Sequence, residues 1–149
     1  MILIVHLLFG AAIGYIIKNP ILAIILSFSS HYLLDFLPHV EYDIENIEKK
    51  QWKNAIPQFT RVFLDFCSGI LLILIFSNNQ PIVYICAFSA IVPDGLSILN
   101  LMFKSRALQT HDGFHHGKIH FLKYKKISKF WRIASQIIAA AISIVTLRS

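Results

Sequence analysis

Hydrophobic positions along the chain gather into five blocks, at residues 1–17, 21–38, 60–77, 81–103 and 130–147, with short polar breaks between them. Each block approaches the roughly 20 residues that cross about 30 Å of hydrocarbon. The shorter blocks would stand with little tilt or thin the bilayer locally. In lipid the backbone must satisfy its own hydrogen bonds, which selects helices over open strands. Lys18-Asn19-Pro20 and Ser77-Asn78-Asn79-Gln80-Pro81 read as tight turns, and Pro81 suits the first turn of a helix. Residues 41–59, EYDIENIEKKQWKNAIPQF, mix acids and bases with Ile44, Ile47, Trp52 and Ile56, as an interfacial amphipathic helix does, and that helix is expected to break before Pro57. Residues 104–129 carry a histidine-rich stretch and a lysine cluster. The pattern predicts one all-α membrane domain over residues 1–149, a polytopic bundle of about five transmembrane helices plus the interfacial helix.

Composition supports the membrane class. Of 149 residues, 56% are hydrophobic and 15% charged, and mean hydropathy is +0.62, against about 45–50% apolar and about 25% charged in a soluble domain. A net charge of +6 would suit a nucleic-acid partner, but the basic residues flank apolar blocks, so membrane topology accounts for them and no nucleic acid is expected. Lys49, Lys50, Lys53, Arg61, Lys104, Arg106, Lys118, Lys123, Lys125, Lys126, Lys129 and Arg132 fall on one side of the predicted spans, and only Lys18 and Arg148 on the other. The positive-inside rule then places the N-terminus in the cytoplasm and the C-terminus outside. The first block lacks a basic leader and a small-residue cleavage site, so it reads as a retained helix. Cys67 and Cys86 lie in apolar runs without a CxxC spacing and read as small buried residues.

This topology sends the ionisable residues to one leaflet. His6 in block 1, His31, Asp35 and His39 in block 2, Asp65 in block 3, Asp94 in block 4, and His111, His115, His116 and His120 in the following segment all map to the cytoplasmic side. A charge deep in lipid costs at least about 2.5–3.5 kcal/mol and needs protein or water to face. Such groups offset one another by meeting, and a cation would relieve the repulsion between carboxylates. His31 and Asp35 are four apart and share a helix face. His6, Gly10 and Gly14 also share a face, where the glycines would admit a neighbouring helix. Arg61 and Asp65 stand four apart, which allows a simple ion pair, and Asp94 of VPDG could cap the chain that Pro93 opens. In HDGFHHGKIH, residues 111–120, Gly113 and Gly117 argue for a bent or looped segment; the structural alternative there is a basic loop facing headgroups. His39 follows Pro38 and could be merely interfacial. Imidazoles and carboxylates without cysteine ligands suit Zn²⁺, Mn²⁺ or Fe²⁺, as one ion or two. The chain has no GxSxG, Walker A, GxGxxG or HExxH, which removes support for serine nucleophiles and phosphate-cradle chemistry.

The segments VHLLFGAAIG, SHYLLDFLPH, VPDG and HHGKIH resemble the bacterial membrane-bound metal-dependent hydrolases, small multi-span inner-membrane proteins. That family shows an N-terminal histidine followed by spaced glycines, a Leu-Pro-Asp-x-Asp-His element and a later His-Arg-x-x-Thr-His element. His6, Gly10 and Gly14 match the first. His116 and His120 take the place of the late histidine pair, with Lys118 and Ile119 where small polar residues are usual. The middle element is split between Pro93-Asp94 and LLDFLPH, the pattern of a diverged member. The resemblance implies a multi-pass protein of the bacterial inner membrane with a divalent-metal hydrolytic site at its cytoplasmic face. His6, His31, Asp35, Asp94, His116 and His120 are the expected metal ligands. Asp65 or His115 is expected as general base, or as the group that orients a ligand imidazole.

A lipid-like substrate or another phosphate or acyl ester follows from a site at the leaflet boundary, with the lysines of 118–129 drawing anionic lipid at about 1 kcal/mol each. Two other classes compete. Buried His and Asp can act only as glue between helices, or they can mark an ion or proton pathway. The pathway needs ionisable groups at several depths, whereas the opposite halves of the blocks carry charge only at Lys18 and Arg148.

Overall fold

The structure, a computed structural model, describes residues 1–103, 105–119 and 125–149, the side chain of His116 excepted. It is all-α, with seven helices among the described residues: α1 Leu3–Ile16, α2 Pro20–Phe36, α3 Glu45–Glu48, α4 Trp52–Phe76, α5 Pro81–Met102, α6 Arg106–Lys118 and α7 Lys129–Leu147. The five apolar blocks become α1, α2, α4, α5 and α7. Asn19 caps α2 by accepting from the Leu22 N–H at 3.1 Å, and Pro20 and Pro81 occupy first turns, where a missing N–H is harmless.

Two segments differ from the sequence reading. No helix boundary falls before Pro57; α4 runs through it, and only α3 is a separate turn of the polar segment. Pro57 lies in the second turn of α4, so its missing N–H removes a single intrahelical bond near the helix start. The α3 turn folds back on α4, with the Ile47 N–H donating to Gln58 Oε1 at 3.2 Å. Residues 106–118 form one helix rather than a bent loop, capped by Ser105 Oγ accepting from the Leu108 N–H at 3.2 Å. Glycine inside a helix costs about 1 kcal/mol, and here His115, held by α2 and α5, offsets that cost from its buried end.

The shortest apolar helix is the centre of the bundle. Around α1 stand α2, α4, α5 and α7, and Val5, His6, Leu7, Leu8, Gly10, Ala11, Ala12 and Gly14 are buried. An all-round apolar helix belongs in such a place. Its closest neighbour is α5. A Cβ built on Gly10 would lie 2.6 Å from the Cys86 carbonyl oxygen and from Ala90 Cβ, and one on Gly14 would lie 2.8 Å from Cys86 Cβ. The predicted close approach below His6 is therefore realised against α5. Gly69 performs the same service for Leu7 where α4 meets α1. Of the two cysteines, Cys86 is buried in this contact, while Cys67 lies exposed on α4, unlike the buried position expected from its apolar run.

Helix directions follow from contacts at the ends. Ile4 at the start of α1 meets Asp65 of α4, and Ser135 and Gln136 of α7 meet the chain just after α2. At the far end Arg148 stands over the Phe76 ring, 5.6 Å from its centroid. Thus α1, α4 and α7 run one way and α2 and α5 return. The α4, α5 and α7 helices are long and apolar enough to cross a membrane, and most of their apolar surface faces outward. The 14 and 17 residues of α1 and α2 are shorter apolar helices, about 21 and 26 Å at 1.5 Å per residue.

The non-helical chain after α2 would leave bare carbonyls at the bundle end. Polar residues of α7 meet them: the Arg132 guanidinium donates to the His39 carbonyl at 3.0 Å, Ser135 Oγ to that of Pro38, and Gln136 Nε2 to that of Val40 at 3.0 Å. Irregular backbone inside an apolar bundle requires such donors.

Candidate metal centre

Asp35 occupies the last turn of α2 and has no exposed surface. Helical spacing puts His31 on the same face, one turn earlier, with its Nε2 at 3.0 Å from Asp35 Oδ2. From α6, His115 brings its Nε2 to 3.1 Å from the same oxygen and 3.0 Å from His31 Nε2. From α5, Asp94 Oδ1 lies 3.5 Å from His31 Nε2, and a third of the Asp94 side chain is exposed. One ligand atom from each of these four residues lies within 4.8 Å of all the others. A tetrahedral ion with bonds of about 2.0–2.1 Å separates its ligand atoms by about 3.3 Å. The measured separations bracket that edge.

Hydrogen bonds behind the cluster decide which nitrogen of each ring faces it. His31 Nδ1 lies 2.8 Å from the Ala90 carbonyl oxygen. A carbonyl only accepts, so Nδ1 carries the proton and a neutral His31 presents the Nε2 lone pair to Asp35. Pro93 removes the N–H that would bond the Ser89 carbonyl, next to Ala90, and so loosens this turn of α5. His115 Nδ1 lies 3.3 Å from Ser97 Oγ. Two imidazole lone pairs and a carboxylate oxygen about 3 Å apart repel unless a proton or a metal ion lies among them. The Met1 nitrogen also sits against Asp35, on Oδ1.

The remaining predicted residues take separate places. His6 is fully buried, its ring stacked on that of His31 at 4.2 Å between centroids, with Nε2 at 3.2 Å from Asp35 Oδ1. Its Nδ1 has no hydrogen-bond partner among the described residues. His120 and the side chain of His116 lie outside the described residues. Asp65 stands at the start of α1, where Oδ2 accepts from the Ile4 N–H at 2.8 Å and from the Tyr42 hydroxyl. Tyr42 in turn accepts from the Leu3 N–H at 3.1 Å. This pair caps α1 across the chain, and Asp65 takes these partners rather than Arg61. Burial, then the Asp65 carboxylate, push the Tyr42 phenol above the usual tyrosine range, so it remains the donor. His115, expected as a base or orienting group, sits at ligand distance within the four-residue cluster. His39 Nε2 lies 3.8 Å from Asp35 Oδ1 and 3.4 Å from Glu41 Oε1. His111 Nε2 lies 3.0 Å from the Tyr32 hydroxyl, and the Tyr32 ring closes edge-on over His31 and His115.

Sequence reasoning missed Ser97, Tyr32, Tyr42 and the Ala90 carbonyl. Only the last had a signal, since a proline inside an apolar run marks loosened carbonyls upstream. Compared with known proteins, the chain matches no family model, no curated protein and no solved structure.

Proposed function

We propose that this chain is a five-span membrane protein holding a divalent cation between His31, Asp35, Asp94 and His115, and that it hydrolyses a lipid-like or other phosphate or acyl ester at the cytoplasmic face of the inner membrane. The observation that carries the reading is the meeting of those four side chains, from three helices, at ligand–ligand distances with their far nitrogens already held. The resemblance to membrane-bound metal-dependent hydrolases agrees with it, as does the bias of lysine and arginine toward this end of the bundle. A cation here would supply Lewis acidity toward an ester oxygen and lower the pKa of a water. The chain's own part is positional. Ala90 fixes the tautomer of His31, and Ala90 and Ser97 hold the directions of the His31 and His115 rings. The partly exposed Asp94 edge is the side from which a substrate can approach, and the lysines beyond α6 draw an anionic group toward it. The apolar outer faces of α4, α5 and α7 suit an acyl-chain environment.

Elemental analysis of detergent-purified protein tests this reading. At least one Zn, Mn or Fe per chain is expected, lost in His31→Ala and in His115→Ala. Metal-free protein, with stability lowered in both variants, would favour the second reading, a cluster that only ties helices together. The seat of the Met1 nitrogen on Asp35 is the observation on that side.

A further inference from the structure

Asp35 does not face one group of nitrogens but two. Oδ2 meets His31 and His115, at 3.0 and 3.1 Å. Oδ1 meets His6 at 3.2 Å and His39 at 3.8 Å. The His6 and His31 rings are stacked, 4.2 Å apart with 22° between their planes, and each aims its Nε2 at a different oxygen of the same carboxylate. Paired metal ions in hydrolytic sites stand about 3.5–4 Å apart. Two parallel imidazoles at this spacing would therefore each meet its own ion. Glu41, on the chain after α2, brings Oε1 to 3.4 Å from His39 Nε2 and adds a second carboxylate on the Oδ1 side.

We infer that Asp35 bridges two divalent cations, the first held with His31, Asp94 and His115, the second on its Oδ1 side with His6, His39 and Glu41. This rests on the metal-centre reading above and extends it. Full burial of His6, whose Nδ1 has no hydrogen-bond partner among the described residues and whose Nε2 faces only the Asp35 carboxylate, is the further support, because a ligand role for that Nε2 offsets the desolvation of the ring. The Met1 nitrogen lies where the second ion would meet Oδ1, so that ion would displace it. Chain geometry suits the division. The first set is mounted on α2, α5 and α6, whereas His39 and Glu41 stand on the linker whose carbonyls α7 holds.

The test is manganese loading of the intact chain in detergent, with metal content and electron paramagnetic resonance as readouts. Wild-type protein should bind two Mn²⁺ per chain and show the exchange-coupled signal of a close pair. His39→Ala should keep one ion and show the six-line signal of isolated Mn²⁺. Glu41→Gln should weaken the second ion while keeping the first, which guards against misfolding of the more deeply placed variants. One ion in the wild type, unchanged in both variants, would overturn the second position and leave the first standing. Two ions that survive both variants would overturn this ligand assignment. No ion at all would overturn the metal-centre reading itself.

Discussion

At the scale of single residues, the groups behind the cluster offer the sharpest measurements. Ser97 touches His115 on the nitrogen that faces away from Asp35. Ser97→Ala should leave the fold intact and lower cation affinity by about 10–100-fold, measured by competition with a chromophoric chelator. Tyr42 makes a different case, since it serves α1 and not the cluster. Tyr42→Phe leaves the Leu3 N–H and one Asp65 oxygen short of a partner, and should cost about 1–3 kcal/mol in denaturant unfolding with metal content unchanged. Because the phenol is raised in the folded state, its contribution is complete below the ordinary tyrosine value of about 10 and declines as pH rises beyond it. The stability gap between wild type and Tyr42→Phe should therefore stay constant through neutral pH and narrow only in alkali. The i,i+4 spacing of His31 and Asp35 was legible because a helix repeats locally. Asp65 was not, since its partner at the start of α1, Ile4, stands 61 residues earlier in the chain.

For the elements, glycine divides into two kinds. Gly10 is a contact surface, and Gly10→Ala must push α1 from α5 against a backbone oxygen that cannot move aside. A loss of about 1–3 kcal/mol is expected, read as a lower thermal midpoint in detergent. Gly113 meets nothing within 4 Å, so Gly113→Ala should stabilise α6 by up to about 1 kcal/mol. The same contrast explains what the sequence could tell about these helices. The four-residue spacing of His6, Gly10 and Gly14 marked a packing face, and that face is there. In α6, glycine content pointed to a bend, yet the tertiary hold on His115 outweighed propensity. Pro57 misled in the same way, because its cost depends on how far into the helix it stands.

For the whole molecule, the apolar blocks were legible because long unbroken hydrophobic runs between polar breaks leave little alternative to helices; all five became helices, and three are long and apolar enough to cross a membrane. Side-chain positions on the linker after α2 were not legible, since no repeat governs a non-helical chain, and this is why His39 and Glu41 gained their meaning only in three dimensions. Orientation in the membrane belongs to this scale. With Cys67 replaced by serine, a cysteine placed at Asn79 should react with an impermeant maleimide on intact cells, and one placed at Lys50 only after permeabilisation. Labelling in the reverse order would place the cluster at the outer face.

The enclosed position of α1 also bears on how the protein is made. Of the described helices, α1 leaves the ribosome before the neighbours that surround it, and α7, which covers one flank, leaves after the others. Until then the histidine and two glycines of α1 lack their final surroundings. A nascent chain stopped short of α7 should thus be a substrate for membrane proteases, while the finished one resists them.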